Sequence, residues 1–355
     1  MFVLRARNRV NRRFPSLTQI SRGLTRLEVL LVFSVILLNA TIFLPFMQQA
    51  REAARRSECK RNLNQIGLAM SNYVDVYECF PAGFDVSSEG IYPGWGWNLK
   101  ILPQLNAADL YARIEPHLAA GIHGLPEIPE FDRRWSILSC PSNPGSETVP
   151  HAMVVNTKVV DRNVSAATED WQSRLPISSY FGNAGYLQLE SGGIQYNAAG
   201  IPTSSIPLAN AGSLGQFGTN RSVENQYCDQ KNFGGFFGQN SHVIPRDVVD
   251  GTSNTFMLGE RYSPMDSSAS AVGFGTWLGV PDCTRTQGLA MALADASMRI
   301  NIGMPLREPT TGFGSLHSGG AFFVLGDGSA RFISQKIDIS VFRNLSVIDD
   351  SVRSR

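Results

Sequence analysis

RGLTRLEVLLVFSVILLNATIFLP, residues 22–45, is the stretch that decides the architecture of this chain. Residues 29–47 form an apolar run of nineteen, broken only by Ser34, Asn39, Thr41 and Pro45. As a helix this run is roughly 28 Å long, close to the hydrocarbon thickness of a bilayer. Glu28 stands at its mouth, where a carboxylate is costly without a partner. A secretory signal peptide would have a shorter apolar region and small residues at −3 and −1 of the cut. Leu38 in "LNA" fits that rule poorly. A plain anchor explains the length but gives Glu28 no role.

Charge is unevenly spread around this run. Residues 1–23 carry six arginines (Arg5, Arg7, Arg9, Arg12, Arg13, Arg22) and no acid. Such a basic segment predicts a cytoplasmic N-terminus, a bias tempered by Arg51, Arg55, Arg56, Lys60 and Arg61 on the far side. Of the 31 basic residues, 25 remain beyond the leader against 30 acids, a net charge of −5. A mildly acidic body does not point to nucleic acid as a partner. With 355 residues, 43% of them hydrophobic, the chain is long enough to bury a sizeable core.

Gly23-Leu24-Thr25-Arg26-Leu27-Glu28 resembles the cleavage motif of type IV pilins and type II secretion pseudopilins. The resemblance implies cutting by a prepilin peptidase after Gly23, N-methylation of Leu24 as the new first residue, and Glu28 as the fifth. It further implies assembly in which Glu28 meets the amine of a neighbouring pilin-like subunit. A carboxylate in a low-dielectric setting needs such a cation. This sequence departs from the family pattern in Arg26, at a position usually apolar, and in its long leader.

Beyond Pro45 the chain reads FMQQAREAARRSECKRNLNQIGLAMSNYVDVYECFP. Cys59, Leu63, Ile66, Met70, Tyr73 and Tyr77 recur at alternating steps of four and three, one stripe of an amphipathic helix. Arg51, Arg55, Lys60 and Asn62 are expected on the opposite face. One helix over 24–78 is predicted, roughly 80 Å long, with its membrane span at 29–47. From 79 the texture turns to short apolar runs between Gly, Pro, Asn and Ser. GWGWNLKILPQL (94–105) reads as an aromatic strand or turn leading into a helical piece. RWSILSCPSNP (134–144) reads as a strand, as do ISSYFGNAGY (177–186) and TFMLGER (255–261). GGAFFVLGDGSARFIS (319–334) reads as a hairpin with a two-residue turn at Asp327-Gly328.

Several of these stretches resemble one large family, the domain of unknown function 1559, which follows a pilin-like N-terminus and ends in a His-x9-Asp-Gly signature. QQAREAARRSECKRNLNQIGLAM, CFPAG, GWGWNLKILPQL, LSCPSNP, SSYFGNAGY, DGTSNTFMLGER and HSGGAFFVLGDGSARFIS carry the resemblance. The family implies pilin-like export and no known enzymatic activity. His317, Asp327 and Gly328 are the signature residues. His317 is expected at a strand entry, away from Asp327, and Asp327 in the turn.

Calcium is the one cofactor to consider, because pseudopilins can carry it near the C-terminus. It wants several oxygens, so Asp327 would need Asp250, Glu260 or Asp338 beside it. The five histidines show no paired metal spacing. Glu260-Arg261 reads as a local ion pair or a buried anchor. Of the five cysteines, Cys79 could pair with Cys140 and Cys228 with Cys283, leaving Cys59 a buried thiol. Trp95, Trp97, Phe233, Phe236, Phe237 and Trp277 are core candidates or the lining of a glycan or peptide groove, with FGGFF (233–237) the best exposed contact loop.

The expected fold is α+β: one long N-terminal helix, transmembrane then amphipathic, packed on a mostly antiparallel β domain with long loops. The expected organisation is a leader at 1–23, the helix at 24–78, a β-rich domain at 79–345 with a loop-rich insertion near 190–240, and a tail at 346–355. The expected role is non-enzymatic: a pilin-like structural protein of the inner membrane, spanning it once, its body periplasmic or at the cell surface. Its partners would be the lipid bilayer, a prepilin peptidase and like subunits. The rival is an anchored module that binds a solute or glycan and never polymerises.

Overall fold

The structure, a computed structural model, describes residues 25–85, 94–120, 122, 128, 135–143, 148–150, 174–186, 234–262, 275–280, 292–302 and 312–350. The chain divides into two compact units, Met1–Arg51 and Glu52–Arg355. The division falls within the first helix. The loop-rich insertion near 190–240 lies mostly outside the described residues.

The first unit contains the start of helix α1 (Arg26–Tyr77), which is long and apolar enough in this half to cross a membrane. Leu30, Phe33, Ile36, Leu37, Phe43 and Phe46 are all exposed. The three polar interruptions turn their donors back onto the helix. Ser34 Oγ donates to Leu31 O at 2.8 Å, Asn39 Nδ2 to Val35 O at 2.7 Å and Thr41 Oγ1 to Leu38 O at 2.8 Å. A polar group satisfied by its own backbone costs far less in an apolar surrounding than a free one.

In the second unit the remainder of α1 buries Cys59, Leu63, Ile66 and Met70, as the stripe predicts. Tyr77 is exposed, its ring 4.3 Å from that of Tyr73. Asn62, expected on the wet face, is buried. Its amide donates to Ser136 O at 2.8 Å, so the contact face is wider than the stripe.

Among the described residues, seven strands follow: β1 (Thr148–Pro150), β2 (Arg174–Pro176), β3 (Tyr180–Asn183), β4 (Phe256–Glu260), β5 (Leu293–Ala294), β6 (Gly320–Leu325) and β7 (Ala330–Ser334). β1 and β2 form a separate antiparallel pair. The other five make one sheet in the order β5-β3-β4-β6-β7. Every pairing in it is antiparallel except the short parallel contact of β3 with β5. With α1 this is the α+β class expected.

Residues on the inner strand β6 alternate between two cores, as pleating requires. Phe322 and Val324 join Cys59, Leu63, Ile66 and Met70 of α1. Ala321, Phe323 and Leu325 join Phe256, Phe313 and Phe342, the last from α4 (Ile339–Asn344). The sheet is covered on both faces, which is why β4 and β6 are buried at every position. α2 (Trp97–Lys100) and α3 (Ala108–Ile114) add Trp97, Leu99, Leu110 and Ile114 to the α1 side.

Three local expectations change. The segment Ser136–Leu138 is a 3-10 turn rather than a strand. Leu138 packs into the core there while the backbone of Ser136 meets Asn62. The β6–β7 turn is a three-residue loop, 326–328, not a two-residue one. Gly328 N donates to Leu325 O and Leu325 N to Ser329 O, both at 2.9 Å. Gly328 has φ +81 while Asp327 is not left-handed, which fits a type I turn closed by a G1 bulge and excludes type I′. Residues 346–350 are not a tail: Ser346 and Val347 are buried, and Ile348 O accepts from Val249 N at 2.8 Å.

Candidate functional site

The chain brings four distant segments to one buried point. Cys59 comes from α1, Cys140 from the segment after the 3-10 turn, Glu260 from the end of β4, and His317 from the approach to β6. All four are almost sealed from solvent, at 0%, 4%, 1% and 1% relative exposure. Their ligand atoms lie within 4.8 Å of one another.

His317 organises the group. Its Nδ1 lies 2.7 Å from Oε1 of Glu52, the first residue of the second unit. Burial pushes the Glu52 carboxyl up. Hydrogen bonds from His317 and Arg55, the His317 charge and Arg56 outweigh this and hold it below its ordinary 4.5. An ionised carboxylate only accepts, so Nδ1 carries the hydrogen. Nε2 is thereby turned to the interior, 3.4 Å from Cys140 Sγ and 3.6 Å from Glu260 Oε1. The ring also meets Phe322 edge-on at 5.6 Å.

Each partner is held in turn. Arg55 bonds Glu52 at 2.7 Å and reaches Ser142 Oγ, which lies 3.3 Å from His317 Nδ1. Arg56 pairs with Glu52 at 3.3 Å, donates to Ser318 O, and lies over the Phe332 ring. Glu260 Oε2 accepts from Phe322 N at 2.8 Å, while Oε1 accepts no hydrogen bond of ordinary geometry. Burial raises the Glu260 pKa despite the nearby His317 charge, the Phe322 N–H, Ser315 and Cys140. The Cys140 thiol is pushed far up by its hydrogen bond to Cys59 and by burial, against the pull of His317. For His317, burial acts downward. The Cys140 hydrogen bond, the Glu260 charge and the Glu52 hydrogen bond overcome it, giving about 9.

The remaining signature residues serve a different purpose. Asp327 N donates to Thr252 O and its carboxylate accepts from Ser329 N at 2.9 Å, inside the turn and with no contact to His317. Gly328 sits against α1. A Cβ added at Gly67 would come within 2.3 Å of Gly328 O. Asn64 of α1 accepts from Ala330 N at 3.1 Å beside it. The signature thus marks two docking points of one hairpin on one helix.

The carboxylates considered for calcium are not brought together. Glu260 is in the histidine cluster, Asp327 is in the turn, and Asp338 caps α4 by accepting from Ser340 N. Asp250 stands beside Asp349 and Asp350. Glu260 and Arg261 do not pair, because successive strand positions face opposite ways. Arg261 stacks on Phe181 at 3.7 Å and donates to Leu293 O at 3.0 Å. Cys140 packs with Cys59 and His317, so the Cys79–Cys140 disulfide does not form; Cys228 and Cys283 lie outside the described residues. Trp95, Trp97, Phe236, Phe237 and Trp277 are core, which removes FGGFF as an exposed loop; Phe233 lies outside the described residues.

At the other end, Gly23 and Leu24 also lie outside the described residues. Glu28 Oε2 accepts from Thr25 N at 2.8 Å and Thr25 Oγ1 accepts from Glu28 N at 3.3 Å. This reciprocal pair is a capping box at the start of α1. The Thr-x-x-Glu spacing announced it in the sequence, and the charge argument passed over it.

A buried cluster of Cys, His and Glu that knits a helix to a β-sheet defines a helix-clamped α+β domain with an apolar N-terminal extension. The chain belongs to the family described as protein of unknown function (DUF1559), whose model matches residues 48–340. That range contains Glu52, Cys59, Cys140, Glu260, His317, Asp327 and Gly328, and begins after the apolar run. No curated protein and no solved structure matches this chain.

Proposed function

We propose that this is a membrane-anchored, pilin-like structural protein without enzymatic activity, cut after Gly23 by a prepilin peptidase and assembled laterally through α1. The observation that carries the reading is the start of α1. There a bare apolar surface begins next to a carboxylate, and every internal polar side chain is satisfied within the helix. The capping box gives Glu28 a resting partner in a single subunit. Only one Glu28 oxygen accepts from Thr25 N there, so a neighbour's α-amine can be met by the other. The body would lie outside the cytoplasm, with the basic leader inside.

The test is the mature N-terminus, read by mass spectrometry from cells with an active prepilin peptidase. Methylated Leu24 is expected. An intact leader would end the pilin reading and leave a plain anchor. Glu28→Ala should then abolish cross-linking between copies while leaving membrane insertion intact.

The rival, a non-polymerising solute- or glycan-binding module, rests on the open depression beside His317, lined by Arg299, Asn301, Ser315, Gln335 and Lys336. It predicts that Glu28→Ala changes nothing measurable in copy–copy cross-linking because none occurs. The buried state of the aromatic candidates favours the first reading.

A further inference from the structure

We propose that Cys59, Cys140, Glu260 and His317 form a closed tetrahedral site for a zinc-type divalent ion, which locks α1 onto the sheet. Thiolate, imidazole and carboxylate are the donors such an ion takes. Two sulfurs and a nitrogen exclude calcium and magnesium, which require oxygen ligands.

The geometry fits before any ion is considered. With ordinary zinc bond lengths, ligand atoms around a tetrahedral ion stand roughly 3.4–3.8 Å apart. Cys140 Sγ to His317 Nε2 is 3.4 Å and His317 Nε2 to Glu260 Oε1 is 3.6 Å. All four ligand atoms fall within 4.8 Å of one another, so closure needs only a small inward movement of some of them.

Two further observations point the same way. Glu260 Oε1 is buried, faces the cluster with His317 Nε2 3.6 Å away, and accepts no hydrogen bond of ordinary geometry. Leaving a carboxylate oxygen so is expensive unless a cation meets it. The imidazole is also oriented from behind. Its Nδ1–H is held by the Glu52 carboxylate, itself fixed by Arg55 and Arg56, so Nε2 is the ring nitrogen turned to the centre, ready to bind an ion once its proton leaves. This carboxylate–histidine arrangement is how proteins aim a metal-binding histidine. Glu260 is steadied in the same manner by Phe322 N–H on its other oxygen.

Four protein ligands leave no open coordination position, so the ion would be structural rather than catalytic. Binding displaces the thiol protons of Cys59 and Cys140 and the Nε2 proton of His317 into solvent; no electron transfer is involved. The ion would also shield two adjacent thiols that an oxidising compartment would otherwise join.

The experiment uses the full chain in detergent, purified without chelator. Elemental analysis should find one zinc per chain. Cobalt(II) exchanged into the reduced protein under anaerobic conditions should give thiolate-to-metal charge-transfer bands and the visible bands of a tetrahedral ion. Chelation should lower the melting temperature, and zinc should restore it. Cys140→Ser and Glu260→Gln should remove or shift the cobalt bands, while Glu52→Gln should retain them with affinity weaker by about 10–100-fold. If the variants fail to fold, the wild-type zinc content and cobalt spectrum still decide. Absence of bound zinc together with absent cobalt bands in the reduced wild type would overturn the proposal. So would a non-reducing peptide map that joins Cys59 to Cys140.

Discussion

Nδ1 of His317 lies 2.7 Å from Oε1 of Glu52, although 265 residues separate them in the chain. This ion pair joins the first turn of the second unit to the approach of strand β6. It is backed by Arg55 and Arg56 on one side and by Cys140 and Glu260 on the other.

Removing the Glu52 carboxylate should therefore be felt through the domain. Glu52→Ala leaves the His317 Nδ1–H buried without its acceptor and should cost about 1–3 kcal/mol. Glu52 is a quarter exposed, which favours the lower half of that range. Urea unfolding of the full chain in detergent measures it as a fall in midpoint at unchanged slope.

Stability of the chelator-treated protein should depend on pH in a defined way. His317 titrates near 9 in the folded state against an ordinary 6.5, so its contribution is fully present below 6.5 and lost as pH climbs to about 9. Glu52 is held below its ordinary 4.5, so its contribution is present above 4.5 and fades as pH falls further. Glu260 acts in the reverse sense to Glu52: its raised value withdraws stability as pH rises above 4.5. The melting temperature of His317→Gln should be nearly flat between pH 6.5 and 9 where the wild type declines.

Gly67→Ala tests the close approach of helix and turn. Alanine gains about 1 kcal/mol of helix propensity. Its methyl would lie 2.3 Å from Gly328 O, and overpacking of that kind costs about 1–3 kcal/mol. A net loss is expected, visible as a lower melting temperature. A gain would mean that the hairpin turn moves away freely.

Phe342→Ala removes a fully buried ring packed on Phe256, Phe313 and Phe323, on the face of the sheet away from α1. A loss of about 3–5 kcal/mol is expected. Because it touches none of the cluster residues, cobalt binding in the folded fraction should be unchanged.

The sequence announced those parts that are local. The α1 stripe, β4 and the β6–β7 hairpin were legible from periodicity and turn chemistry, because side-chain repeat and burial coincide there. The cluster was not, because its members come from four segments and no spacing links them. Glu52 was hidden in the charged string REAARR, where an acid among arginines reads as a solvated face. Cys140 and Cys59 offered no metal spacing for the same reason. His317 was correctly separated from Asp327, but its true partners lie on elements whose approach only tertiary packing sets. The two-residue turn failed because Gly326 and Asp327 keep ordinary backbone angles, leaving Gly328 alone in the left-handed region.

The span between Glu52 and His317 also sets an order of events. At about 5–20 residues per second, synthesis places His317 roughly 13–53 s after Glu52. Throughout that interval the buried stripe of α1 has no strand β6 to pack on. Its apolar side chains must be shielded from other chains until the last hairpin is made. Mutations that slow the hairpin should therefore lower the yield of soluble domain even where final stability is unchanged.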